Sequence, residues 1–218
     1  MTQAPACHEP DRLDHVLRRG PVIPVLVLED PARAAPLARA LWAGGVQVLE
    51  VTLRTATALE SVARMREAVP DALVGVGTVL EPAQLDAAWR AGAAFAVSPG
   101  ATPTLLEHAR HHPLPLLAGA ATVSEAMALR ERGLRHLKFF PAEASGGVRF
   151  LSAVAAVLPG VAFCPTGGIG PANAPTYLAL PNVSCVGGSW MAPPERVQAG
   201  DWSGITMLAA AAAGLRPA

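Results

Sequence analysis

Lysine is almost missing from this chain. Sixteen of its seventeen basic side chains are arginine, and the single lysine is Lys138. Aromatic residues are also scarce, at 5%, so the core must be built from Ala, Val and Leu, which suits helices packed closely on a sheet. Net charge is missing too: 17 basic side chains balance 17 acidic ones. With no basic stripe interleaved with aromatics, a nucleic-acid partner is excluded. No apolar run reaches the length of a membrane span, so no membrane partner is expected. The stretch from Met207 to Leu215 reads instead as a terminal helix. Residues 1–14 carry no apolar stretch behind a basic segment, so a signal peptide is not expected. The three cysteines, Cys7, Cys164 and Cys185, are an odd count. Cys164 and Cys185 fall in strand-like runs and are expected to be buried, reduced thiols of a cytoplasmic protein.

What the chain does have is hydrophobic bulk, 51% of its 218 residues, enough for one large domain or two small ones. Eight short apolar runs stand out: 22–28, 46–53, 73–77, 95–98, 114–118, 136–140, 162–166 and 184–187. Amphipathic stretches separate them, at 32–43, 56–68, 82–91, 102–111, 123–132, 148–157 and, weakened by Pro175, 171–180. Thr122 followed by Glu125 is a capping box, and Pro82 suits a first helical turn. A strand followed by a helix, repeated eight times, implies parallel strands covered by helices. The expected fold is α/β, a single-domain (β/α)₈ barrel over residues 1–218, with residues 1–12 a flexible N-terminal extension. An open doubly wound sheet is the competing architecture.

In such a barrel, chemistry gathers where strands end and loops to helices begin. Lys138 sits in the apolar run Leu137-Lys138-Phe139-Phe140. Arginine stays protonated in a protein, whereas a desolvated amine loses its proton and can attack a carbonyl. The plainer reading is a lysine that snorkels to water. On the second strand the period of two puts Glu50, Thr52 and Arg54 on one face. Buried there, an acid and a guanidinium are costly unless paired or used. A Glu50–Arg54 ion pair closing the barrel mouth is one way to satisfy both. Used chemically, Glu50 would accept and return protons and Arg54 would grip a carboxylate with two parallel bonds. The third strand ends Gly77-Thr78, the fourth Ser98-Pro99-Gly100, the seventh Thr166-Gly167-Gly168 and the eighth Gly187-Gly188-Ser189. Paired glycines after strands seven and eight let backbone N–H groups approach a phosphate, with helix dipoles behind them. An amine, an acid with a guanidinium and a phosphate cradle facing one cavity describe an aldolase for a phosphorylated 2-keto acid.

Leu49-Glu50-Val51-Thr52-Leu53-Arg54-Thr55, Gly77-Thr78-Val79-Leu80, Ser98-Pro99-Gly100, Lys138 to Glu143, Pro165 to Ile169 and Gly187 to Trp190 together resemble the 2-keto-3-deoxy-6-phosphogluconate aldolases. The likeness runs in order from about Pro21 to Trp190. It implies a cytoplasmic, homotrimeric barrel of the Entner–Doudoroff pathway that needs no cofactor and no metal. It also implies Lys138 as the Schiff-base residue and Glu50 as the proton shuttle. Arg54 and Thr78 would hold the pyruvate carboxylate, Pro99, Phe140 and Thr166 would line the pyruvyl pocket, and Gly167, Gly168, Gly187, Gly188 and Ser189 would take the phosphate. The small-molecule partner would be 2-keto-3-deoxy-6-phosphogluconate, with 4-hydroxy-2-oxoglutarate as a second substrate. One departure is Ala118-Gly119-Ala120-Ala121-Thr122, where relatives often have Pro-Gly before the threonine.

The rivals are an aldolase for the galactonate epimer, a non-covalent sugar-phosphate epimerase or isomerase using Glu50 alone, and a non-catalytic phospho-ligand sensor. His108, His111 and His112 cluster at a helix end with no acidic or cysteine partner at metal-ligand spacing, so they read as a solvated terminus. Glu143 reads as a residue that caps or positions its loop.

Overall fold

Eight parallel strands close into a barrel in the computed structural model, which describes residues 10–215. The strands are β1 Val22–Leu26, β2 Val48–Thr52, β3 Leu73–Gly77, β4 Ala96–Val97, β5 Leu116–Ala120, β6 His136–Phe139, β7 Ala162–Pro165 and β8 Val186–Gly188. They pair in sequence order, and β1 pairs with β8 through Ile23↔Gly187. The bridges Phe163↔Val183 and Thr166↔Gly187 join β7 to the β8 side, which rules out the open doubly wound sheet. Five of the expected runs hold a strand trimmed at one or both ends, 73–77 matches β3, and β5 and β8 start two residues later than expected and run past the expected ends.

The helices on the outside are α2 Ala34–Ala43, α3 Ala58–Ala68, α4 Pro82–Arg90, α5 Pro103–Arg110, α6 Val123–Glu131, α7 Gly147–Ala155 and α8 Ala174–Leu178. Their starts follow local chemistry. Thr122 and Glu125 form the reciprocal capping box of α6, and Glu81 with Gln84 does the same for α4 around Pro82. Pro175 does not interrupt a helix. It sits in the first turn of the short α8, where its missing N–H costs nothing. α9 Pro194–Ala199 and α10 Trp202–Ala213 complete the chain, α10 at the place expected for a terminal helix.

Strand pleating sorts the apolar side chains into two clusters. The larger lies between barrel and helices and includes Leu49, Val51, Val74, Val76, Leu137 and Phe139. The smaller fills the barrel, with Ile23, Val48, Phe95, Leu117, Cys164 and Cys185. The helix α1, Pro10–Leu17, plugs the barrel by adding Leu13, Val16 and Leu17 to that interior cluster. Residues 10–12 of the expected extension therefore begin a helix, while residues 1–9, Cys7 among them, lie outside the described residues. Cys164 and Cys185 are buried and free, as expected.

Candidate active site

The apolar interior gives way to polar side chains one pleat further along the strands. Glu50 of β2 and Lys138 of β6 are four strands apart in an eight-stranded barrel, so they project from opposite walls. Lys138 Nζ donates to Glu50 Oε1 at 3.4 Å, and the two residues are only 5% and 4% exposed. Lys138 does not snorkel to water, and the partner of Glu50 is Lys138 rather than Arg54. Space for this pair is made by glycine. A Cβ on Gly77 of β3 would overlap Glu50 Oε1, whereas one on Gly119, the β5 partner of Lys138, would strike the Pro99 backbone at the end of β4. The Phe140 ring covers the amine, with Nζ 5.4 Å from its centroid. A buried ion pair of this kind costs desolvation that its attraction does not always offset, which makes it weak evidence for stability. Its chemistry is more telling: an amine and a base in contact, shielded from bulk water.

Thr78 follows directly, with a φ of +62°, the only non-glycine residue at positive φ among the described residues. For a β-branched side chain that is a strained conformation, of a kind concentrated at functional sites. Arg54 lies beyond the end of β2 and is exposed. Its Nε donates to Thr52 Oγ1 at 3.1 Å, and among the described residues its two terminal nitrogens have no partner. They remain available as a two-pronged donor. Arg54 and Ser189 line a common cavity of about 490 Å³ with Val25, Val27, Asp30 and Arg33. Of the expected carboxylate-binding and phosphate-binding residues, Arg54 and Ser189 alone line this cavity, and neither Lys138 nor Glu50 does.

Thr166 is buried and its hydroxyl faces Gly187, where a Cβ would collide with it. Gly167 and Gly168 turn the chain at φ +104° and +76°. Neither the N–H of Gly168 nor that of Ser189 meets an acceptor among the described residues, so both are open to an anion. Gly188 has a second reason to be glycine, because the Trp190 ring occupies the place of its side chain. Helix dipoles contribute less than expected, since the short α8 and α9 start only at Ala174 and Pro194. Any anion site here is made of loop backbone.

The histidine cluster needs a correction. His108 Nε2 lies 2.7 Å and His112 Nε2 3.3 Å from Asp86 Oδ1, an acidic partner on α4 that sequence spacing did not reveal. His112 is buried rather than solvated. Its Nδ1 accepts the Leu114 N–H at 3.1 Å, so a neutral ring carries its proton on Nε2, facing Asp86. Burial lowers the His112 imidazole, and the hydrogen bond from His108 lowers the Asp86 carboxyl. The three side chains stand close enough for a cation, but the Nε2 lone pair a metal would need is already protonated. The group ties α4 to the end of α5.

Three comparisons with known proteins bear on this site. A family model described as "Aldolase: KDPG and KHG aldolase" matches residues 13–208. A 2-dehydro-3-deoxy-phosphogluconate aldolase of Pseudoalteromonas atlantica is 52% identical over 194 residues, 89% of this chain and 90% of the relative. A KHG/KDPG aldolase of Escherichia coli K12 is 52% identical over 196 residues, 90% of this chain and 92% of the relative. Among solved structures, KDPG aldolase of Legionella pneumophila, with pyruvate captured as a covalent carbinolamine, has a TM-score of 0.91. It is 47% identical and covers 94% of this chain and 98% of its own.

Proposed function

The chain belongs to the KDPG and KHG aldolase family, and on that premise we propose that it is a class I aldolase reversibly cleaving 2-keto-3-deoxy-6-phosphogluconate. The products are pyruvate and glyceraldehyde 3-phosphate, and 4-hydroxy-2-oxoglutarate is a second substrate. The observation that carries this reading is the buried contact of Lys138 Nζ with Glu50 Oε1 at 3.4 Å inside the barrel. The covalent pyruvate of the Legionella relative supports a Schiff-base route, and the phosphogluconate names of the 52% identical relatives support that sugar acid over its epimer.

In this scheme Glu50 takes the ammonium proton and frees the Lys138 amine. Nζ adds to the C2 ketone, and the carbinolamine oxygen leaves as water once protonated. Loss of the C4 hydroxyl proton breaks the C3–C4 bond, and its electron pair moves into the iminium to give an enamine. Glyceraldehyde 3-phosphate departs, C3 is protonated, and water releases pyruvate and the amine. Glu50 moves these protons through a bound water. Arg54 and Thr78 hold the carboxylate, Pro99, Phe140 and Thr166 pack around the pyruvyl group, and the loop backbone of Gly167, Gly168, Gly187 and Gly188 with Ser189 takes the phosphate.

A panel of 2-keto-3-deoxy acids, assayed for pyruvate release, tests the substrate. The phosphorylated gluconate form should give the highest kcat/KM. Preference for the galactonate epimer, or no pyruvate from any of them, would contradict the reading. The homotrimer and the cytoplasmic location belong to the same proposal and rest on the family likeness. Light scattering should find about three times the 22.4 kDa of one chain, and a mass of one chain would refute the trimer.

A further inference from the structure

The loop between β6 and α7 carries an acid that the reaction scheme leaves unused. The Glu143 N–H donates to Gly167 O at 3.1 Å and the Ala142 N–H to Thr166 O at 2.8 Å, so this loop continues the β6–β7 ladder into the glycine loop. The stem of Glu143 lies flat against Gly168. An added Cβ there would stand 2.6 Å from Glu143 Cγ and 2.8 Å from its Cβ. The carboxylate accepts a hydrogen bond from Tyr177 Oη. Tyr177 is wholly buried on α8. Burial, reinforced by the Glu143 carboxylate, pushes its phenol upward and keeps it a donor. Asn173 also holds the glycine loop, accepting the Gly170 N–H at 2.8 Å and donating to Gly168 O at 3.0 Å.

We propose that Glu143 and Tyr177 are positioning residues for the phosphate cradle: the Tyr177 hydroxyl fixes Glu143, whose stem and N–H fix Gly167 and Gly168 where their backbone meets the substrate phosphate. The inference rests on the phosphate-binding reading above. It assigns the pair to substrate affinity, not to the chemistry at Lys138. A carboxylate beside an anion site repels its ligand, so an acid with no structural task here would only weaken binding. An acid that holds the loop in shape has a reason to be there.

Tyr177→Phe keeps the buried ring and removes only the hydroxyl. Glu143→Gln keeps the stem and an oxygen that can still accept from Tyr177. Both are compared with the wild type by thermal melting, by cleavage kinetics, and by exchange of pyruvate's methyl protons in D₂O, which needs Lys138 and Glu50 but no phosphate. Tyr177→Phe should raise KM for 2-keto-3-deoxy-6-phosphogluconate about tenfold, the effect of one lost buried hydrogen bond. Its kcat and proton exchange should stay within about twofold, and Glu143→Gln should recover most of the KM. An unchanged KM in Tyr177→Phe, or cleavage and exchange falling together, overturns the proposal. A wild type that binds the unphosphorylated sugar acid equally well defeats the phosphate reading itself, and the role of the pair falls with it.

Discussion

Gly77 is the residue on which the geometry of the Lys138–Glu50 contact depends. Its φ is not in the left-handed region, so alanine fits the backbone there and trims the entropy of the unfolded chain. Its Cβ, however, would claim the space of Glu50 Oε1. Gly77→Ala should therefore still fold, at a cost of about 1–3 kcal/mol for overpacking a filled interior, and exchange pyruvate's methyl protons about a hundredfold more slowly, the range lost with a general base. Glu50→Gln should match it, and wild-type exchange in either variant would show that the carboxylate is not needed where it stands. At this scale the sequence was informative about residue types and less so about partners. A lone lysine in an apolar strand and a lone acid in another were visible as anomalies. Their contact was not, because it spans the barrel between positions 50 and 138. β2 ends at Thr52, so strand period does not reach Arg54, whose Nε is instead tied to Thr52 Oγ1.

Among the elements, α1 is the one that periodicity understated. It shows just three core residues, Leu13, Val16 and Leu17, on one face of an otherwise polar octet. That stripe acquires meaning only once a barrel floor exists for it to cover. The same junction holds His136, buried with its Nδ1 unpartnered, and with Nε2 3.7 Å from Asp14 Oδ1 on α1. Burial pushes its imidazole below the ordinary 6.5. Asp14 pulls the other way without overcoming burial, and Arg18, the smallest of the three influences, acts with burial. The folded state thus favours neutral His136. Stability from this group is fully present above pH 6.5 and is lost as pH falls through the lowered value. His112 has the same sign, again through burial. Asp86 and Glu125, held low by the His108 hydrogen bond and by the Ala121 N–H, act only in the acid range below. The urea midpoint should therefore decline as pH drops from about 6.5 towards 5, and His136→Gln should flatten that decline. A wild-type midpoint constant over that interval would contradict the assignment.

For the molecule as a whole, alternation of strand and helix was enough to anticipate eight parallel strands, since each run needed a neighbour and each helix a sheet to cover. Closure was not decided by alternation, and it rests on the pairing of β1 with β8 and the Thr166↔Gly187 bridge. Closure is also what brings β2 and β6 face to face, so the fold and the Lys138–Glu50 contact are one consequence. The account stands on Lys138 forming a covalent bond with the substrate ketone. Borohydride reduction in the presence of saturating pyruvate, followed by intact mass and peptide mapping, tests this directly. The protein should gain one reduced pyruvyl group, located on Lys138, and Lys138→Arg should be folded, inactive and unlabelled. An unchanged mass for the wild type, or an adduct anywhere but Lys138, would contradict the account.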